Sequence, residues 1–264
     1  MEDPKDIDEK ASQPNPQSLN MVAAACYIPK DSIKRSEGED AHFICQEKQT
    51  VGVADGVGSW LAEGIDSGIY ARELMANCVT ALDNQPKGNI HPKMVLTEAY
   101  LNTKAEGSST ACIITLTDRR FLRATHVGDS GFLLFRNNMI VNQSQAQKIS
   151  FDCPFQLGMK RSPPECAIKT GYFAIPGDIL VLGTGGLFDN LYPNQIESIL
   201  REKNGEILKP EELARTISEL AYNASMNIVA DSPFARASQE AGKSHKGGKI
   251  DDITVVVAHI IESA

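Results

Sequence analysis

The chain has 264 residues, 42% hydrophobic and 23% charged, which excludes a wholly disordered or fibrous protein and allows one large domain or two small ones. Lys and Arg number 26 against 34 Asp and Glu, a net charge of −8 that disfavours general nucleic-acid binding, because phosphate contacts need clustered cations. No run approaches the roughly 18 apolar residues of a membrane span, and the six cysteines, none in a C-x-x-C pair, read as buried reduced thiols of a cytosolic-type compartment.

Residues 1–20 mix Asp, Glu, Lys, Pro, Gln and Ser and read as a disordered tail before a single domain over 21–264. In chain order, Met21–Ile28, Ala41–Cys45 and Val51–Ala54 are predicted strands. Ile65–Leu82 is a predicted helix, capped by Ser67, with Tyr70, Leu74, Cys78 and Leu82 recurring every four residues. Asn89–Ala105 is a second helix with Pro92 in its first turn. Strands follow at Thr110–Leu116, Phe121–Val127, Gly131–Phe135 and Met139–Val141, the last two joined by Asn137-Asn138, a pair suited to positive φ. Ala167–Ile175 and Ile179–Leu182 come next. Pro193–Lys203 and Pro210–Met226 are helices, Ala230–Lys249 is a long polar connection, and Asp251–Ile261 is a last strand. Adjacent strands with tight turns favour antiparallel pairing, with sheets inside and helices outside.

Acids recur where strands end. Glu39-Asp40 precede one strand, and Asp55-Gly56 end the next, where a glycine lets backbone approach a ligand. Asp129 follows Val127-Gly128, Asp189 follows Gly186-Leu187-Phe188, and Asp251-Asp252 open the last strand. Each alone is compatible with an ordinary turn. Together they suit Mg²⁺ or Mn²⁺, since hard cations take carboxylate and carbonyl oxygen. Two such ions about 3.5–4 Å apart can activate a shared water for phosphate-ester hydrolysis. Arg35, four positions before Glu39, carries a planar fork suited to phosphate.

These segments resemble, in order, the metal-dependent protein phosphatases of type 2C. They are Gly38-Glu39-Asp40-Ala41-His42-Phe43, Val53-Ala54-Asp55-Gly56-Val57-Gly58, Gly107-Ser108-Ser109-Thr110-Ala111, Val127-Gly128-Asp129-Ser130-Gly131, Gly186-Leu187-Phe188-Asp189-Asn190 and Gly248-Lys249-Ile250-Asp251-Asp252-Ile253-Thr254-Val255. Ser232-Pro233-Phe234 with Ala241-Gly242 resembles the plant and mitochondrial branch. The resemblance implies an α+β fold, a four-layer α-β-β-α sandwich of two mainly antiparallel sheets flanked by helices. It implies Asp55 as the acid bridging two metals, Glu39 and the Gly56 carbonyl at the second metal, and Asp251 at the first. Asp129 and Asp189 resemble the acids of a weaker third-metal site. Asp40 would bind metal waters, Arg35 would bind phosphate, and Thr110 would be sheet structure beside the site.

Two departures stand out. Val57 occupies the position where many members carry a proposed general-acid His. Gly185, in Thr184-Gly185-Gly186-Leu187-Phe188-Asp189, replaces an acid expected to bind the first metal. The expected activity is dephosphorylation of phosphoserine and phosphothreonine in proteins by metal-activated water, weakened at Gly185. Two rivals stay open: a weak or inactive phosphoprotein-binding or regulatory module, and a hydrolase of small phosphorylated metabolites. The expected partner is a phosphoprotein, with no nucleic acid and no membrane, and the chain is expected to act as a monomer. Cytoplasm or nucleus is favoured, and a longer natural N-terminus would allow an organelle.

Overall fold

Strand β1 (Leu19–Ile28) begins inside the segment expected to be a tail and pairs with β12 (Ile253–Glu262) along its whole length, from Leu19↔Glu262 to Ile28↔Ile253. The structure, a computed structural model, describes residues 18–30, 37–158, 163–202 and 208–263. Between these two strands lie β2 (Asp40–Cys45), β3 (Thr50–Asp55), α1 (Ser67–Asp83), α2 (Pro92–Asn102), β4 (Ala111–Leu116), β5 (Phe121–Val127), β6 (Gly131–Arg136) and β7 (Met139–Gln143). There follow β8 (Lys148–Ser150), β9 (Cys153–Pro154), β10 (Ile168–Phe173), β11 (Ile179–Gly183), α3 (Gly185–Phe188), α4 (Pro193–Glu202), α5 (Pro210–Ser225) and α6 (Pro233–Glu240).

Two five-stranded antiparallel sheets form, in the orders β1-β12-β11-β6-β7 and β10-β5-β4-β3-β2. Their facing sides share one apolar core, with Val51, Val53, Cys112 and Ile114 against Phe132, Leu182, Val256 and Ala258. Side chains alternate along β12. Val256, Ala258 and Ile260 point between the sheets, while Val255 and Val257 pack with Leu213, Ala214 and Ile217 of α5. On the other outer face α1 and α2 bury Leu74, Cys78, Leu82, Val95 and Leu96 against Phe43, Ala54 and Ile113. The expected α-β-β-α sandwich is therefore the fold.

Several expectations shift. The cap of α1 is Asp66, whose side chain accepts from Gly68 N at 3.0 Å, and Ser67 is the first helical residue. Asp251-Asp252 lie before β12 instead of opening it. The polar connection at 230–249 holds α6, whose Ser232 caps Ala235 N through its hydroxyl at 3.0 Å, with Pro233 at its start. Asn137 and Asn138 do take positive φ, 52° and 58°, at the β6–β7 turn. All six cysteines are free, although only Cys78 and Cys112 are fully buried. Among the described residues no helix is long and apolar enough to cross a membrane.

Candidate metal centre

Pairing registers bring one end of both sheets together. Asp40↔Asp55 is a cross-strand pair of β2 and β3, Ala111↔Val127 closes β4 against β5 just before Gly128-Asp129, and Gly183 of β11 lies opposite both Gly131 and Val255. The acids at 40, 55, 129, 189, 251 and 252 thus gather at this end, around a cleft of about 450 Å³ whose walls include Lys30, Asp55, Asp129, Gly185, Lys249 and Asp251.

Asp55 ends β3 and is half-buried. Burial, followed by the nearby charges of Asp40, Asp251 and Asp129, pushes its carboxyl above the usual carboxylate range, and Lys249 offsets this in part. Asp55 Oδ2 accepts from Gly185 N at 3.2 Å. Asp40 ties the two sheets together: its Oδ2 accepts from Thr184 Oγ1 and Thr254 Oγ1, both at 2.7 Å. Its Oδ1 is buried without a hydrogen-bond partner. Burial, then Asp252, raises the Asp40 carboxyl too. Crowding from protein alone already calls for glycine at 56, since a Cβ would meet Glu39 O and Ser67 O, each at 2.6 Å.

The remaining acids are held by lysines. Lys30 Nζ bonds Glu39 Oε2 and lies 3.1 Å from Asp251 Oδ1 and 3.5 Å from Asp252 Oδ2. Lys249 Nζ lies 2.9 Å from Asp189 Oδ2, 3.1 Å from Asp152 Oδ1 and 3.2 Å from Asp251 Oδ2. Lys148 Nζ lies 3.6 Å from Asp129 Oδ2 and 3.8 Å from Asp189 Oδ1. Burial alone would lower the Lys249 and Lys30 ammoniums, but the surrounding carboxylates outweigh it and hold both above the ordinary lysine range. For Asp251, burial acts upward, yet Lys249 and Lys30 draw the carboxyl below its ordinary value. Burial and Asp189 push Asp129 up to about 6, against the pull of Lys148 and Lys249.

Local sequence pattern assigns no role to these lysines, nor to Thr184 and Thr254. Lys249 stands two residues before Asp251 within a quoted motif, and that was the available signal. Asp252, whose Oδ1 accepts from Tyr27 Oη at 2.7 Å, serves as a buried anchor for β1. Thr110 lies at the cleft wall as expected but one residue before β4, its N donating to Asp55 O at 2.9 Å and its hydroxyl 2.6 Å from Ser130 Oγ. Arg35 lies outside the described residues.

As the side chains stand, no group of three or more His, Cys, Asp or Glu among the described residues is arranged to hold a metal ion. The donor chemistry nevertheless fits a hard cation around Asp55. Its carboxylate is crowded by like charge, Asp40 Oδ1 is an unpartnered buried oxygen beside it, and among the described residues Asp55 is in no lysine ion pair.

Residues 50–261 match the sequence family described as Stage II sporulation protein E (SpoIIE). Putative protein phosphatase 2C 24 of Oryza sativa subsp. japonica is 36% identical over 98% of this chain and 82% of its own length. The chain belongs to the protein phosphatase 2C family. Probable protein phosphatase 2C 55 and 80 of Arabidopsis thaliana are 44% and 43% identical over 93% and 94% of the chain, which spans only 53% and 60% of their lengths. The solved photosystem II phosphatase PBCP superposes with a TM-score of 0.83 at 29% identity, covering 90% of this chain and 98% of that one. The catalytic domain of the serine/threonine phosphatase PstP, in complex with two manganese ions, shares the fold at a TM-score of 0.66 and 19% identity, covering 93% of this chain and 100% of that one. The plant origin of these relatives is consistent with the plant branch the resemblance implies. Gly185 starts α3, and a Cβ there would face Asp55 Oδ2 at 3.1 Å and Asp129 Oδ1 at 3.8 Å.

Proposed function

We propose that the chain removes phosphate from phosphoserine and phosphothreonine in proteins with the help of Mg²⁺ or Mn²⁺. The observation that carries this reading is the gathering of Asp55, Asp40, Glu39, Asp251 and the Gly56 backbone at one end of the paired sheets, in a chain of the protein phosphatase 2C family. Asp55 would contact both of two ions, Glu39 and the Gly56 carbonyl would hold one, and Asp251 the other. When bound, such ions supply Lewis acidity toward phosphoryl oxygen and lower the pKa of water.

The chain's own residues do the positioning. Asp40, fixed through Oδ2 by Thr184 and Thr254, keeps Oδ1 free to accept a hydrogen bond from water. Lys30 and Lys249 put positive charge on the cleft wall, which draws a phosphate dianion toward a site otherwise rich in carboxylate. Arg35 is assigned to the phosphate oxygens on sequence grounds. No histidine lines this cleft among the described residues, in keeping with Val57 where many members carry a general acid.

Gly185 supports a second reading, in which metal binding is too weak for efficient turnover and the domain serves as a phosphoprotein-binding or regulatory module. Both are tested by Mn²⁺ titration of phosphopeptide hydrolysis on purified protein, with sugar phosphates in parallel. Metal-dependent release from phosphopeptide supports the phosphatase. Phosphopeptide binding without release favours the module, and preference for sugar phosphates overturns both.

A further inference from the structure

The pair Asp129 and Asp189 is not poised for a metal ion, although the family pattern marks it for one. Lys249 approaches from the loop before β12 and Lys148 from the β8–β9 hairpin, and their ammoniums contact three of the four carboxylate oxygens at 2.9–3.8 Å. Lys249 is well anchored. Asn190 Oδ1 accepts from its backbone N, Asn190 Nδ2 donates to its backbone O, both at 2.9 Å, and its ammonium lies 4.9 Å from the centre of the Phe234 ring. Lys30 and Lys249 also contact Asp251, at 3.1 and 3.2 Å, but that acid adjoins Asp55, which is in no lysine ion pair among the described residues; Asp129 and Asp189 are each lysine-paired, so an ion entering here would have to displace an ammonium from both acids.

The same contacts hold the hairpin. Lys148 is its first residue and Asp152, at its turn, pairs with Lys249. Between them Phe151 packs on Phe234 of α6 with ring centroids 5.0 Å apart. Three ion pairs, two from Lys148 and one onto Asp152, and one ring contact therefore fasten the 148–154 segment over the acids.

We propose that Lys148 and Lys249 replace a third metal ion at Asp129 and Asp189, and that this lysine pair latches the β8–β9 hairpin over the cleft. The proposal deepens the metal-dependent reading above, on which the word third rests. A cation supplied by the chain balances the acids at any metal concentration. The closure of the cleft is then set by the protein instead of by metal supply.

The test is Mn²⁺ binding stoichiometry by isothermal titration calorimetry, which needs no turnover. Asp189→Asn in the native background is expected to leave the number of bound ions unchanged. Lys148→Met with Lys249→Met is expected to gain one ion, and adding Asp189→Asn to that double variant is expected to abolish the gain. Lys249→Met alone and Lys249→Arg, with circular dichroism on each, keep the comparison valid if the double variant folds poorly. Because Lys249 also pairs with Asp251, the reading is the ion count: one more Mn²⁺ bound in Lys249→Met but not in Lys249→Arg, and lost again when Asp189→Asn is added, supports the proposal. Loss of one ion from native protein on Asp189→Asn overturns it, as does a lysine double variant that gains none. If native protein binds no Mn²⁺ at all, the proposed metal-dependent function fails, and a single ion gained by the lysine variant still supports the replacement.

Discussion

The backbone N–H of Gly185 donates to Asp55 Oδ2 at 3.2 Å, and a Cβ at residue 185 would stand 3.1 Å from the same oxygen. The first turn of α3 is thus aimed at the central carboxylate of the cleft. A side chain there would be a neighbour of Asp55 and Asp129, and Gly185 does not carry the positive φ that would strain one.

Gly185→Asp is accordingly expected to bind Mn²⁺ about tenfold more tightly and to raise phosphopeptide turnover at limiting metal, since added ligand charge strengthens such sites. In EDTA the same variant is expected to melt at a lower temperature than the native chain, because the new carboxylate faces Asp55 and Asp129 without a counter-ion. Calorimetric metal titration and melting curves with and without Mn²⁺ check both signs. Equal affinity in the two proteins would show that Gly185 costs the site nothing.

Asp55→Asn is expected to abolish Mn²⁺-dependent hydrolysis with the fold retained. In EDTA at neutral pH it is expected to raise the melting temperature, because burial and then Asp40, Asp251 and Asp129 make the ionised carboxylate unfavourable there. Native-like turnover at matched metal would move the site elsewhere.

Arg35→Ala is expected to raise KM for phosphopeptide several-fold with a smaller change in kcat, as for a group that binds phosphate alike in ground and transition states. Steady-state kinetics at saturating Mn²⁺ measure the split, and an unchanged KM removes Arg35 from the site.

Away from the cleft, Asp178 at the start of β11 is buried and accepts from Arg136 Nε at 2.8 Å, Arg136 Nη2 at 2.9 Å and Ile175 N at 3.0 Å. Asp178→Ala is expected to destabilise the fold by about 2 kcal/mol, the scale of losing charge-assisted bonds to a partly exposed arginine. Metal affinity is expected to stay unchanged, since this turn lies at the far end of β11 from Gly183. Urea melts read the first effect and calorimetry the second.

Local pattern was enough for the elements that bury one regular face. Phe121–Val127 has the bounds its pattern predicts, and the four-residue recurrence of Tyr70, Leu74, Cys78 and Leu82 marks the buried stripe of α1. Short elements escaped. The eight residues of α6 and the β8–β9 hairpin carry too few apolar positions to show a period, and they are held by contacts such as Phe151 on Phe234 that link distant parts of the chain. The apolar run that follows at once makes Asp251-Asp252 resemble the start of the last strand. In the fold they precede it, and Tyr27 and Lys30 at the end of β1 reach across to Asp252.

Read locally, the chain shows antiparallel strands with helices outside and the order of the acids, and its resemblance to the type 2C phosphatases implies the two-sheet sandwich and marks residue 185 as a departure. Only the tertiary structure decided what balances those acids. Lys30, Lys148 and Lys249 are ordinary surface residues by composition, and they become the counter-ions of a buried cleft only when β1, the β8–β9 hairpin and the loop before β12 converge on it. Charge pairing across such separations depends on a few ångströms of approach, which no spacing along the chain encodes.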